Sequence, residues 1–392
     1  MRNLFTIAFL LCSWISFGQT SHDIWMQSRM TGLIYLDDGS TTEFWGFGLY
    51  NPPTPGPQMS LPGPLLRYNE GDTIRVHFYN NSPEDHTIHW HGLDVDQDND
   101  GVPTTSSVVD PDSLRVYTFV LSNAGTYNYH CHVFTTLHLT MGMYGMFIVD
   151  PDSNQNRIYT GGPTYTKDYN WLASEVNRNW SDNPISPGFL YLYEATNLLL
   201  NGKEGSQLQN GLFDVTGTTN DTIAMRLSNM GYGKVRYIFP SEANAEIHMS
   251  DGRAIPSVIV SDTVDVYSGE RFTALLDPNT EFTGNITIEY YDVRDNSLNG
   301  TNSVPMIIDN VGIEDLDADY GFDLYPNPVN EYMTIEITDP DTKELIIYDL
   351  TGKFIQKVKV QLGTNIIYTD LQRGTYLIGK KSSSAKARFI KL

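Results

Sequence analysis

Short runs in which apolar and polar residues alternate dominate the chain. Clear examples are DTIRVHFYN (72–80), RVYTFVL (115–121), DTIAMRL (221–227) and NITIEYYDV (285–293). A period of two is the pattern of a β-strand with one buried face. Turn-forming segments such as PPTPGP, DNDG and NAGT separate these runs, and long helical periodicity is missing. The sequence therefore predicts an all-β protein built from β-sandwiches.

Breaks in this pattern divide the chain into four parts. The linker DPDSNQNRIYTGGP (150–163) and the acidic run IEDLDADYG (313–321) separate three β-rich blocks. We predict a leader at residues 1–18, a first domain at 19–155, a second domain at 160–312, and a third, smaller β-sandwich at 320–392.

The leader is typical of a secretory signal peptide. Residues 4–15 are mostly apolar and are followed by the small residues Ser16 and Gly18, so we expect cleavage near Gly18. This run is too short to span a membrane, and no later stretch of the sequence is apolar enough. The formal net charge is −22, so the chain is expected to repel nucleic acid and anionic lipid.

Cysteine and histidine usage points to metal chemistry. Cys12 lies in the leader, so the mature chain keeps only Cys131 and cannot form an internal disulfide. Six histidines accompany Cys131 within residues 86–138, in the segments HTIHWHG (86–92) and YHCHVFTTLH (129–138). An inert buried thiol among core or surface histidines is the alternative, but so dense a set favours metal ligands.

The parity of these residues predicts two separate sites, because successive side chains of a strand point to opposite faces. In HTIHWHG the paired histidines share one face, and the leading histidine can take the other. In HCH both histidines share a face and the cysteine points away. One site would combine Cys131 with His86, and the other would collect His89, His91, His130 and His132.

The cysteine site has further candidate ligands. His138 lies in a predicted loop seven residues beyond Cys131, and Met143 follows five residues later. A thiolate, two imidazoles and a weakly bound thioether form the trigonal site of a blue-copper protein, whereas zinc seldom binds Met. The sequence predicts copper held by His86, Cys131, His138 and Met143, with Met141 as the alternative axial ligand.

The run of Asp94, Asp96, Asp98 and Asp100 ahead of Gly101 has the spacing of a calcium loop. An EF-hand loop also needs an acidic residue at its twelfth position, where this chain has Thr105. We interpret the run as a polar surface loop.

The string PGPLLRYNEGDTIRVHFYNNS, followed by HTIHWHGLDVDQDNDGVP, GTYNYHCHV and GM, resembles the copper-binding domain of the multicopper oxidases. The resemblance implies Greek-key, cupredoxin-like sandwiches and type-1 copper ligands at the four residues of the cysteine site. It implies that the four paired histidines supply half of a type-2/type-3 trinuclear cluster, reached by electrons through Cys131. LLLNGKEG, EIHMSDGRAIP and VDVYSGERFTALL resemble the copper-free middle domain of three-domain members.

The chain departs from that family in its second domain. A trinuclear cluster needs a second set of paired histidines, but this domain has only His248, which we interpret as a hydrogen-bonded strand residue. Three possibilities stay open. Several copies, as in a trimer, could complete the cluster between them; the histidines could hold a simpler type-2 copper, as in copper nitrite reductases; or the second site could be vestigial.

The third domain has different motifs. YPNP (325–328), DLTGK (349–353) and GTYLI (374–378) resemble the C-terminal sorting domain of the type IX secretion system of Bacteroidetes. The resemblance implies an export address that the type IX machinery recognises and removes at the outer membrane. It also implies export through the periplasm of a Gram-negative, Bacteroidetes-like bacterium.

These features predict a secreted or cell-surface copper oxidoreductase of the multicopper oxidase type. Its expected substrates are dioxygen and a small reductant, either a phenol or a metal ion, and its expected assembly is a homo-oligomer. A non-enzymatic blue-copper electron carrier and a nitrite reductase-like enzyme are the alternatives.

Overall fold

The fold is known from a computed structural model. It describes residues 20–53, 56, 59–151, 156–181, 184, 191, 193–209, 211, 213–309, 321–325, 327, 329, 332–349, 353–372, 374–380 and 387–391. The leader at residues 1–18, with Cys12 and the expected cleavage near Gly18, lies outside the described residues.

Two four-stranded sheets form the first unit. Their strands are β1 (Ser21–Tyr35), β2 (Thr41–Leu49), β3 (Leu66–Asn69), β4 (Thr73–Asn80), β5 (His89–His91), β6 (Leu114–Val120), β7 (Gly125–His130) and β8 (Tyr144–Asp150). A short helix, α1 (Thr135–Thr140), connects β7 to β8. The strand orders are β2-β1-β4-β6 and β3-β8-β7-β5. Along β4 buried and half-buried residues alternate, as expected for a sandwich strand.

The second unit packs a six-stranded sheet against a five-stranded one. After β9 (Lys167–Val176) comes a helical turn, α2 (Arg178–Ser181). The remaining strands are β10 (Asn197–Leu200), β11 (Val215–Gly217), β12 (Ile223–Asn229), β13 (Lys234–Ile238), β14 (Ala245–Ser250), β15 (Arg253–Val260), β16 (Thr263–Val266), β17 (Arg271–Leu276), β18 (Phe282–Tyr291) and β19 (Leu298–Ile308). The orders are β10-β9-β12-β17-β14-β15 and β11-β19-β18-β13-β16. Short 3₁₀ turns lie at Gly205–Leu208 and Ser241–Ala243.

The third unit is a smaller pair of sheets. Its strands are β20 (Phe322–Tyr325), β21 (Tyr332–Ile337), β22 (Glu344–Asp349), β23 (Phe354–Lys359), β24 (Gly363–Tyr368), β25 (Gly374–Gly379) and β26 (Ala387–Lys391). It contacts the first unit, because the Tyr368 hydroxyl donates to the Leu49 carbonyl over 2.9 Å and Tyr332 joins the first apolar core.

The all-β fold class is confirmed, while the exact domain boundaries stay predictions. Within the described residues, no helix is long and apolar enough to cross a membrane.

Strand β7 is buried on both faces, and this determines where chemistry can occur. Its odd-numbered residues Tyr127 and Tyr129 belong to the core of the first unit. Its even-numbered residues face the second unit: Thr126 Oγ1 lies 3.2 Å from Thr273 Oγ1, and Asn128 accepts a hydrogen bond from Ser228 over 2.9 Å. One face of β7 therefore packs in the apolar core of the first unit, and the other face lies in a polar boundary with the second unit.

Two arginines and two aspartates form a buried ion cluster at that boundary. Arg67 contacts Asp150 at 2.5 Å and Asp168 at 2.7 Å, and Arg226 contacts Asp168 at 3.0 Å. The Arg226 side chain is fully buried. Burial alone would raise the pKa of Asp168, but Arg226 and Arg67 outweigh it and hold that pKa below its ordinary value. The cluster therefore ties the two units together through compensated charges.

A buried carboxyl group gives the second unit a pH-dependent stability. Glu175 accepts hydrogen bonds from the backbone N–H groups of Tyr232 at 3.1 Å and Gly233 at 3.2 Å. Burial raises its pKa from 4.5 to about 7. The folded chain therefore holds a proton that the unfolded chain has released, and stability falls as pH rises from 4.5 through 7.

We expect Glu175→Gln to remove this loss, because the amide keeps an acceptor oxygen without taking a charge. The gain above pH 8 should reach roughly 3 kcal/mol, the equivalent of the raised pKa. Urea unfolding of both proteins at pH 5 and pH 8 measures it. Equal pH dependence in the two proteins would contradict the assignment.

Candidate metal centre

Three elements converge to form the cysteine site. His86 precedes β5 and forms two backbone hydrogen bonds with Val109. The His86 N–H donates to the Val109 carbonyl over 3.1 Å, and the Val109 N–H donates to the His86 carbonyl over 2.9 Å. Cys131 directly follows β7, and His138 lies in α1. The loop predicted around His138 is wrong: this residue belongs to a six-residue helix, a length too short to show a periodic pattern in sequence.

The donor atoms of these three residues face one another inside the core of the first unit. The Cys131 sulfur lies 3.1 Å from His138 Nδ1 and 3.5 Å from His86 Nδ1. All three side chains are fully buried. Within the described part of the chain, Nε2 of His86 and Nε2 of His138 have no hydrogen-bond partner.

The main chain brings Met143 beside this group. The Cys131 N–H donates to the Met143 carbonyl over 3.0 Å, and the Met143 N–H donates to the His138 carbonyl over 2.9 Å. Met141 is also buried, and its carbonyl accepts the Trp45 N–H over 2.8 Å. Which methionine is the axial ligand stays a prediction, and backbone pairing with the cysteine favours Met143.

Burial controls the protonation of this group. It lowers the pKa of His138 to about 4, and burial followed by the neighbouring His138 lowers the pKa of His86 to about 3. It raises the pKa of the Cys131 thiol to about 12. At neutral pH both imidazoles are uncharged and able to bind metal, while the thiol ionises only when a cation compensates the thiolate.

A second group lies on the opposite face. Donor atoms of His89, His91 and His130 all lie within 4.8 Å of one another. His91 Nδ1 and His130 Nε2 are 3.1 Å apart. The fourth predicted residue, His132, lies at the rim, with ring centroids 5.3 Å from His89 and 5.8 Å from His130.

Hydrogen bonds fix the orientation of these rings. His89 Nδ1 lies 2.7 Å from the Asp100 carbonyl oxygen, and His130 Nδ1 lies 2.9 Å from the Cys131 carbonyl oxygen. Because a carbonyl only accepts, both Nδ1 atoms carry the proton, and both Nε2 atoms keep a lone pair for a metal. Burial lowers the pKa of His91 to about 4 and that of His130 well below its ordinary value.

Both donor sets fit a bound metal. The first joins one sulfur and two imidazole nitrogens, a donor set that suits copper, and among the described residues no cationic side chain acts on Cys131 to balance a thiolate. In the second, the lone pairs of His91 and His130 meet at hydrogen-bond distance, an arrangement that only a shared proton or a metal ion makes favourable.

Several residues around these sites carry no recognisable signal in the sequence. Thr87 accepts the His132 N–H at 3.2 Å, and Glu84 Oε2 lies 3.6 Å from His138 Nε2. Phe134 packs its ring edge-on at 6.2 Å from His138. Asp100 was assigned only to a surface loop. Its place in the sequence gave no signal, because its contact with His89 depends on how the loop folds back.

The second unit supplies no further histidine to the cluster. His248 lies on β14 and its Nε2 pairs with Glu246 at 3.2 Å. It belongs to neither donor group found among the described residues.

The chain matches two family models. A model described as multicopper oxidase matches residues 51–154, and a model described as secretion system C-terminal sorting domain matches residues 323–391. The first covers every candidate ligand in both groups.

Curated relatives of this chain include two copper resistance proteins. Copper resistance protein A of Escherichia coli is 45% identical over 91 residues, which are 23% of this chain and 15% of the relative. The copper resistance protein A homolog of Pseudomonas syringae pv. tomato is 27% identical over 56% of this chain and 43% of its own length. The chain thus spans less than half the length of these relatives.

The blue copper oxidase of Nitrosomonas europaea has a similar fold. Its structure superposes with a TM-score of 0.61 at 24% identity, covering 77% of this chain and 90% of that one. Both resemblances found in the sequence are confirmed. The chain contains a domain of the copper-binding multicopper oxidase family and, at residues 323–391, a type IX secretion sorting domain, which makes it a secreted or cell-surface protein.

Proposed function

We propose that the chain is a copper-dependent oxidoreductase that takes electrons from a small reductant at the cysteine site and delivers them to dioxygen at the histidine site. His86, Cys131, His138 and Met143 would hold the first copper, and His89, His91, His130 and His132 would hold copper at the second. Copper supplies the one-electron oxidation of the reductant and the reduction of dioxygen.

The observation that carries this proposal is the position of Cys131 between His130 and His132. The cysteine side chain enters the apolar core, while both neighbouring imidazoles lie on the opposite face. A few covalent bonds of one peptide segment therefore connect the two donor groups. No electron carrier needs such a second, correctly oriented set of imidazoles, which favours an oxidase over a simple carrier.

His138 is the proposed entry point for electrons. Its ring is covered by the exposed Phe134, and the half-exposed Glu84 carboxylate lies 3.6 Å from its Nε2. An acceptor carboxylate beside an aromatic face suits either a phenol, whose hydroxyl can donate to Glu84, or a reduced metal ion, which the negative charge attracts.

A homo-oligomer such as a trimer is part of the proposal. The paired histidines of one chain are too few for a trinuclear cluster, and the His89 side chain keeps 18% of its surface exposed. This opening leaves space for residues of a second copy.

Export by a Bacteroidetes-like bacterium is also part of the proposal, and it rests on the sorting domain at residues 323–391.

Copper content tests the function. We expect well over one copper per chain in the purified mature protein, by elemental analysis, together with an intense absorption band near the red end of the spectrum. His89→Ala/His91→Ala should lose at least one copper per chain and keep the band, because both residues lie only on the histidine face. His248→Gln, a histidine outside both groups, is the control.

Two results would contradict an oxidase. One copper per chain with the same band would leave an electron carrier, and turnover that depends on nitrite with two coppers per chain would indicate a nitrite reductase-like enzyme.

A further inference from the structure

Two turns of the second unit border the histidine group of its own chain and form an open cavity with it. The cavity between them has a volume of about 410 Å³. One side of its wall is formed by the HWHG segment of the first unit, through His89, His91 and Gly92. The other side is formed by two turns of the second unit, through Asp251 and residues 268–271. The second unit thus contributes a guanidinium group to the wall of the histidine site.

Arg271 is held rigidly at this wall. Its Nη1 donates to the Gly269 carbonyl over 2.6 Å and lies 3.0 Å from Asp251 Oδ1, and its Nε lies 3.5 Å from the Thr126 carbonyl. The residue is only 2% exposed. Within the described part of the chain no hydrogen-bond acceptor contacts Nη2. A guanidinium with two nitrogens engaged and the third unengaged is a preorganised donor.

Two glycines let Nη2 approach the histidines. A Cβ atom built on Gly92, the residue after His91, would lie 2.3 Å from Arg271 Nη2. A Cβ atom built on Gly269 would lie 3.0 Å from His91 Cε1. Both glycines have positive φ, +88° and +84°, so side chains are disfavoured there on two grounds. The cation and the metal-binding imidazole therefore share one cavity.

A buried cation beside a metal site is unfavourable unless an anion lies between the two charges. Asp251 accepts from Nη1 and offsets part of the charge, and it is half-exposed. Glu270 also lines the cavity, but its Oε2 accepts the Tyr267 N–H at 2.8 Å and is engaged by the turn. The unengaged Nη2 is the donor best placed to stabilise negative charge at the histidines.

We propose that Arg271 makes the histidine site a binding site for a small inorganic anion, which binds the histidine-held copper at one end and accepts a hydrogen bond from Nη2 at the other. The inference rests on the proposed function, because it requires copper at the paired histidines. It assigns to the second unit a positioning role at a site whose metal ligands all come from the first.

Azide titration of the copper-loaded full chain tests the inference, with copper content determined on each sample and binding followed by absorption. Arg271→Met should weaken azide binding by about tenfold or more, because hydrogen bonds to charged groups are the stronger class. Arg271→Lys should lose less, since it keeps the charge without the fixed fork. Arg253→Met is the matched control. Arg253 lies two residues after Asp251, pairs with Asp94 at 2.8 Å, and does not line the cavity.

A second variant keeps the test valid if Arg271→Met does not fold. Asp251→Asn retains an acceptor oxygen for Arg271 and removes the opposing charge, so azide should bind several-fold more tightly. If Arg271→Met holds copper at both sites and its azide affinity is unchanged, this inference alone is overturned. If that variant does not fold, an unchanged azide affinity in copper-loaded Asp251→Asn overturns it in the same way. A wild-type protein that holds copper only at Cys131 would overturn the proposed function and the inference with it.

Discussion

Cys131→Ser is expected to abolish the intense red-end absorption completely and to lower turnover of a phenolic or metal-ion reductant by more than about a hundredfold. Loss of a group that merely hydrogen-bonds a metal ligand already costs 10–100-fold in affinity or activity, and Cys131 is itself the predicted ligand. The serine hydroxyl has nearly the volume of the thiol but is a hard donor that copper does not deprotonate in an apolar core. Absorption spectra and steady-state rates of matched preparations measure both effects.

Met141→Leu is the control for this experiment. Met141 is as deeply buried as Cys131, and it lies in the same core cluster, but it is only the alternative axial ligand. Its substitution should leave the absorption band in place, because the thiolate and both imidazoles remain. A Cys131→Ser protein that keeps the band would contradict the assignment of the cysteine site, whatever its activity.

The strand content of this chain was readable because each sandwich strand has one apolar face. Strand β4 alternates between buried and half-buried residues along all of Thr73–Asn80, and the sequence DTIRVHFYN shows the same alternation. Strand β7 is buried at every position, because the second unit covers the face that would otherwise meet solvent. The partners of that face, such as Ser228 and Thr273, lie about a hundred residues or more away, and no local pattern specifies them.

The candidate ligands were readable for a related reason. Strand parity alone separates Cys131 from His130 and His132. The structure places Cys131 and His130 in two groups on opposite faces, with His132 at the rim of the second group. Features of the two sites that depend on loop conformation could not be predicted from the sequence. The helical turn at His138, the Asp100 carbonyl at His89 and the guanidinium of Arg271 all depend on backbone paths between strands. Ligand assignment itself stays a prediction until metal content is measured.

Arg226→Met is expected to lower the free energy of unfolding by about 3–5 kcal/mol, the usual cost of removing one partner from a buried ion pair. Arg226 is fully buried between Asp168, at 3.0 Å, and Asp150, at 3.6 Å. Without it, Arg67 alone would face two carboxylates in the interdomain boundary. The loss should shrink as the pH falls from 7 toward 4, because burial raises the pKa of Asp168 once Arg226 is gone and protonation then removes the unpaired charge. Urea unfolding at pH 7 and pH 4 measures both.

Two companion variants separate charge compensation from simple loss of packing. Arg226→Met/Asp168→Asn removes a matched pair and should recover at least half of the lost stability, since the remaining Arg67 and Asp150 balance each other. Arg236→Met removes an arginine that pairs with Asp265 at 2.6 Å with both side chains 35% exposed, and it should cost less than about 1 kcal/mol. If Arg226→Met proved no more destabilising than Arg236→Met, the ion cluster would not be what holds the two units together. Alignment of the histidine face against Arg271 would then depend on the smaller polar contacts of Thr126 and Asn128.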